Sequence, residues 1–194
     1  MHIHPNIEIR DLGLYLIKEK VLILSDPHIG QEETIRRQGI MIPLFQFEDL
    51  KKRIEAMLDD VTTVVFNGDL KHEFGRVTLS ETQQTKELLT LFKGKQLIFI
   101  KGNHDTIITP LVKGMELKDS HTVGDVLICH GDAIVNAKNK VIIIGHEHTA
   151  IGLKEGLRIE KFKCFLKGKW KKNVLIAMPS CNPLTIGTDM LRVP

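Results

Sequence analysis

Eight polar residues in this chain share one setting: each follows a short apolar run and sits in or beside a turn. Asp26 and His28 follow Val21 to Leu24, and Asp69 follows Thr63 to Phe66. Asn103 and His104 follow Leu97 to Ile100. His130 follows Val126 to Cys129, and His146 and His148 follow Val141 to Ile144. With His104 set aside, two aspartates, one asparagine and four histidines make an oxygen and nitrogen donor set without sulfur. Such a set suits Mn²⁺, Fe, Zn²⁺, Ni²⁺ or Co²⁺ better than Ca²⁺ or an iron–sulfur cluster. One mononuclear site uses three or four protein ligands. Seven donors are too many for one ion and suit two that share a carboxylate, an arrangement fitted to in-line phosphoryl displacement.

Each turn alone is unremarkable, because Asn, Gly and Asp favour turns for conformational reasons. Five in order, each behind an apolar run, point to one site. In α/β sheets such sites form outside the carboxyl ends of the strands. Glycines at four of the five turns let the backbone bend sharply and come close to a ligand. His72, three residues after Asp69, is near enough in sequence to approach the site. His2 and His4 read as a frayed terminus and His121 as a loop residue.

The apolar runs must therefore be buried strands. Around them the pattern predicts a strand pair near 7–9 and 14–17, and a helix from Phe47 to Val61 with apolar residues at helical spacing. A capping box at Ser80 and Gln83 opens a second helix running to Phe92, and Gly94 stops it. From Arg158 to Trp170 the period changes to two. Lys161, Lys163, Lys167 and Lys169 lie on one face, a strand with one wet side. The face is either a phosphate-tracking surface or an edge guarded against aggregation by lysine. A final strand spans Val174 to Met178. The fold class is α/β.

Composition excludes more than it selects. The 194 residues are 42% apolar and 26% charged, ordinary for one globular domain spanning 1–194. A net charge of +3 says little about nucleic acid. Three cysteines without paired spacing form neither a disulfide framework nor a CxxC zinc site. No apolar run approaches the roughly 18–20 residues of a membrane span. The N-terminus lacks a signal-peptide pattern, so the expected location is the cytoplasm. Phosphate-loop, dinucleotide-loop and nucleophile-elbow motifs are missing.

The ordered set Asp26-Pro27-His28, Gly68-Asp69, Gly102-Asn103-His104-Asp105, His130-Gly131 and Gly145-His146-Glu147-His148 resembles the calcineurin-like metallophosphoesterases over residues 21 to 148. Arg36, Arg37, Gly39 and Pro43, with the ending MPSCNPLTIGTD, resemble a narrower group. These are the small archaeal and bacterial phosphoesterases related to SbcD-type nucleases, some of which act beside a DNA ligase in repair. The resemblance implies a sandwich of two mixed β-sheets flanked by helices. It implies two divalent ions, Mn²⁺ leading the set. One is held by Asp26, His28, Asp69 and His148, the other by Asp69, Asn103, His130 and His146. It also implies His104 as the group aiding leaving-group departure; Asp105 beside it is expected to orient that imidazole, as carboxylates often do, and Asn103, His104 and Arg37 are expected to meet the substrate phosphate. The substrate is then a phosphodiester, either DNA or a cyclic nucleotide, with a repair protein as partner. The competing reading is a catalytically idle scaffold for partner proteins. Scaffold members of the family can lack the histidine that stands here as His104.

Overall fold

The structure, a computed structural model, describes residues 1–42, 45–133, 137–138, 140–156 and 158–192. Pro43 lies outside them.

The first sheet has seven strands in the order β1 (His2–His4), β2 (Ile7–Arg10), β3 (Gly13–Leu16), β4 (Val21–Ser25), β5 (Thr63–Asn67), β6 (Gln96–Ile100) and β7 (Glu116–Lys118). Strands β1 to β4 run antiparallel, and β4 to β7 are parallel. The second sheet is formed by β8 (Ser120–Val123), β9 (Val126–Cys129), β10 (Val141–Ile144), β13 (Leu166–Trp170) and β14 (Asn173–Ala177), in the order β13-β14-β10-β9-β8. Here β9, β10 and β14 are mutually parallel with antiparallel strands at both edges. A small third sheet joins β11 (Thr149–Glu155) to β12 (Arg158–Lys163) and β15 (Thr188–Asp189). Helices α1 (Gln31–Arg37), α2 (Gln46–Ala56) and α3 (Leu79–Thr90) complete the regular elements, with one 3₁₀ turn at Asp105–Ile107.

Strand alternation divides the core in two. On β4, Leu22 and Leu24 face a cluster with Leu50 and Ile54 of α2 and Leu88 of α3. Val21 and Ile23 face the second sheet, meeting Ile128, Ile143 and Ile176. A strand apolar on both faces is what a parallel sheet covered on both sides requires. The architecture is thus two mixed sheets packed face to face with helices outside. Among the described residues no helix is long and apolar enough to cross a membrane.

Several expectations need correction. The helix from Phe47 ends at Ala56; Met57 and Val61 still enter the same cluster, but from a turn. The capping box of α3 is Thr78 with Glu81: Thr78 is extended, while Ser80 already lies within the helix. The stretch 158–170 is two strands in different sheets, broken at Cys164 and Phe165. Its four lysines are split between two sheets. Lys163 turns inward to donate to the carbonyls of Ser180 and Asn182, and Lys167 donates to the Ile3 carbonyl. His2 to His4 form an edge strand and His121 lies within β8.

Candidate metal centre

Register brings the five turns level. Ser25, Asn67 and Ile100 are paired across β4, β5 and β6, so the three following turns leave the first sheet at one height. Cys129 is paired with Ile144 across β9 and β10, which aligns His130 with Gly145 at the facing edge of the second sheet. The donors converge where these two edges meet.

Oxygen and nitrogen atoms of Asp26, His28, Asp69 and His148 all lie within 4.8 Å of one another, as do those of Asp69, His130 and His146. Asp69 belongs to both sets. His28 Nε2 lies 3.1 Å from His148 Nε2 and 3.8 Å from Asp69 Oδ2. His148 Nε2 is 3.6 Å from Asp26 Oδ1. In the other set His130 Nε2 stands 3.5 Å from Asp69 Oδ2, 3.2 Å from His146 Nδ1 and 3.0 Å from Asn103 Oδ1. Asn103 Oδ1 is also 2.9 Å from His146 Nδ1.

These spacings fit divalent cations. Bonds of about 2.0–2.2 Å to nitrogen or oxygen place the donors of one ion roughly 3–3.5 Å apart. Two imidazole nitrogens at 3.1 Å present lone pairs to each other unless a proton or a cation lies between them. His28 is buried among other histidines, and desolvation followed by those like charges lowers its pKa to about 2. It is therefore neutral, the form that coordinates metal. His130 Nδ1 is 3.4 Å from the Asn67 carbonyl, a partner that holds the hydrogen on Nδ1 and leaves Nε2 bare. Burial pushes the Asp69 carboxyl above the usual carboxylate range; a shared cation charge opposes that push.

The backbone here is held in a sparsely populated region. Nine described non-glycine residues have positive φ, and five are Asp26, His28, Asp69, His146 and His148. Each such residue costs of order 1–3 kcal/mol and persists where its surroundings over-determine it. Close packing explains two of the glycines. Gly68 has φ +81°, and a Cβ there would overlap the His130 ring. A Cβ on Gly145 would overlap Ser25 Oγ, which donates to Asp26 Oδ2 at 2.6 Å.

His104 lies outside these two sets, although its ring nitrogen, with those of His72 and His28, forms a third group of donors within 4.8 Å of one another. Its backbone N–H donates to Asp69 Oδ1 at 2.8 Å, and its Nε2 lies 3.9 Å from Asp69 Oδ2. Its Nδ1 is 2.6 Å from the His72 carbonyl, so that carbonyl fixes the ring. This corrects the expected role of Asp105, whose carboxylate accepts instead from the backbone N–H groups of Gly102, Leu70 and Lys71 at 3.1–3.4 Å. It ties the Asp69 loop to the Asn103 loop and does not touch the His104 ring. Asp105→Asn places an amide NH₂ or a weaker acceptor against these three donors. Since bonds to charged groups contribute about 1.5–3 kcal/mol, the variant should lose roughly that much stability. A urea midpoint equal to the parent's would refute the assignment. Arg37, expected at the phosphate, sits at the end of α1 in an ion pair with Glu33.

Three neighbours carry no strong sequence signal. The His72 ring lies 5.3 Å from that of His28 and 5.7 Å from that of His104. Phe74, largely exposed, packs its ring 3.7 Å from that of His104. Lys71 is fully buried and donates to the His104 carbonyl at 2.8 Å. On the Asn103 and His130 side an open cavity of about 470 Å³ adjoins the site, lined also by Lys101, Thr106, Asp119 and Ser120.

A family model described as calcineurin-like phosphoesterase matches residues 19–139. Among solved structures the chain is similar to the Pseudomonas putida nuclease MPE. The two are 16% identical, with 96% of this chain and 86% of that one covered and a TM-score of 0.72. It is more distantly similar to Chaetomium thermophilum Vps29, at 13% identity, 90% and 77% coverage and a TM-score of 0.44. No curated protein sequence matches significantly.

Proposed function

Because this chain belongs to the calcineurin-like phosphoesterase family, we propose that it is a dinuclear-metal-dependent phosphoesterase whose substrates are phosphodiesters of the nucleic-acid or nucleotide class. In this reading residues 1–194 act as one catalytic domain. The observation that carries it is the pair of donor sets sharing Asp69, with donor spacings of 2.9–3.8 Å. Asp26, His28, Asp69 and His148 would hold one cation, and Asp69, Asn103, His130 and His146 the other. Bound divalent ions would lower the pKa of water and neutralise phosphate oxygens, and Mn²⁺ is the first ion to test.

The chain's own groups supply the rest. His104 donates its Nδ1 hydrogen to the His72 carbonyl, which leaves Nε2 to carry a proton toward the leaving oxygen. The Nε2 atom is 3.9 Å from Asp69, close to the centre but outside the two sets that share Asp69. Asn103, beside it, would meet both metal and phosphate.

A diester carries a substituent on each side of phosphorus. The cavity beside Asn103 and His130 leaves room for one, and the exposed Phe74 ring offers an apolar contact near His104 for another. The name of the structurally similar Pseudomonas putida protein, a nuclease, agrees with this class. Purified protein should hydrolyse bis(p-nitrophenyl) phosphate in Mn²⁺ faster than p-nitrophenyl phosphate, and lose both activities in EDTA. Turnover of monoesters alone, across several divalent metals, would reject the diester assignment.

A further inference from the structure

Beyond the family-matched residues, Ser180-Cys181-Asn182 leaves the end of β14 and crosses the loop that carries Asp26 and His28. Four consecutive carbonyls of that loop accept hydrogen bonds from these three residues. The Cys181 N–H donates to Ser25 O at 2.8 Å, and Ser180 Oγ donates to Asp26 O at 2.7 Å. Asn182 Nδ2 donates to Pro27 O at 2.8 Å and to His28 O at 3.2 Å. The segment is itself braced. The Asn182 N–H donates to Ser180 Oγ at 3.1 Å, and Lys163 Nζ donates to the carbonyls of Ser180, at 2.8 Å, and Asn182. Ser180, Cys181 and Asn182 are all buried.

We propose that Ser180-Cys181-Asn182, braced by Lys163, is a strap that positions Asp26 and His28 and thereby sets the cation affinity of that half of the site. The inference rests on the dinuclear reading above. Asp26 and His28 have φ of 52° and 43°. Loop residues left to themselves would relax to negative φ, swinging the carboxylate and the imidazole out of register. Fixing the carbonyl on each side of a strained residue removes that freedom. Among the described residues these three donate to none of the turns carrying Asn103, His130 or His146; the link to the other half is indirect, through the His146 N–H that the Asp26 carboxylate accepts at 3.2 Å, so the larger effect should fall on the Asp26 and His28 half. The four strap residues touch neither the donor atoms nor a substrate position; they are positioning residues.

The test is calorimetric titration of the full chain with Mn²⁺ in two backgrounds. His146→Ala retains the Asp26 and His28 half, and His28→Ala retains the other. Adding Asn182→Ala should weaken the remaining ion about 10–100-fold in the first background, the range for loss of a group that orients a metal ligand. It should weaken the ion in the second background by clearly less, since that half meets the strap only through the Asp26 contact with the His146 N–H. Ser180→Ala, which removes one hydroxyl, should give the same asymmetry with a smaller loss and serves if Asn182→Ala folds poorly. Equal effects in both backgrounds, or none in either, overturn the strap. A parent chain that binds no Mn²⁺ overturns the dinuclear reading instead.

Discussion

Asp69→Asn is expected to lower Mn²⁺ affinity at both halves of the site together, whereas His28→Ala or His146→Ala should affect mainly one. The Asp69 carboxylate is the group common to both donor sets, and its oxygens lie 3.5 Å from His130 and 3.8 Å from His28. The amide keeps the shape and removes the negative charge that two dications would share. It also presents an NH₂ group to one side. The Oδ1 atom accepts the His104 N–H, so the amide oxygen is held toward that loop and the NH₂ is turned toward the imidazoles. Two weakened binding steps in a Mn²⁺ titration, with turnover lost at sub-saturating metal, are the expected result. One step unchanged from the parent would show that the carboxylate serves a single ion.

His104→Ala should leave metal content near that of the parent and still lower turnover. General acid assistance is typically worth about 10²–10⁴-fold. The loss should be smaller with p-nitrophenolate as leaving group, which needs little protonation, and larger with a nucleoside alkoxide. The geometry behind this is the position of Nε2, directed to the centre by the 2.6 Å contact of Nδ1 with the His72 carbonyl. A metal-replete variant that cleaves both substrates at the parental rate would remove His104 from the chemistry. If the parent itself hydrolyses nothing with any metal, a protein-binding role becomes the better account.

The donors were legible because each is announced locally, by a buried strand followed at once by a polar turn. Nothing more distant than neighbouring residues is needed to see Val141 to Ile144 and then Gly-His-Glu-His. The strand register that makes them converge follows from two mixed sheets packed together. What could not be read depends on contacts between remote segments. Ser180 and Asn182 look like ordinary turn residues until the chain is folded against Asp26 and His28. Lys163 fits an alternating pattern, yet the strand breaks one residue later and turns its amine inward. Thr78 with Glu81 and Ser80 with Gln83 satisfy the same capping spacing, so spacing cannot choose between them; the extended backbone at Thr78 does. Asp105 beside His104 suggested an orienting pair, but adjacent side chains on a turn diverge, and the carboxylate went to backbone donors instead.

The donors are divided between the two sheets. Asp26, His28, Asp69 and Asn103 leave the first, and His130, His146 and His148 leave the second. During folding, a chain with only one sheet formed owns part of each donor set and the whole of neither. Pairing strands so distant along the chain requires closing long loops first, which is slow for such topologies. If the two sets hold cations as proposed, tight capture would need the closed sandwich, and a chain with one sheet formed would offer neither set whole. In the dinuclear reading, metal binding would thus report that both sheets are in place.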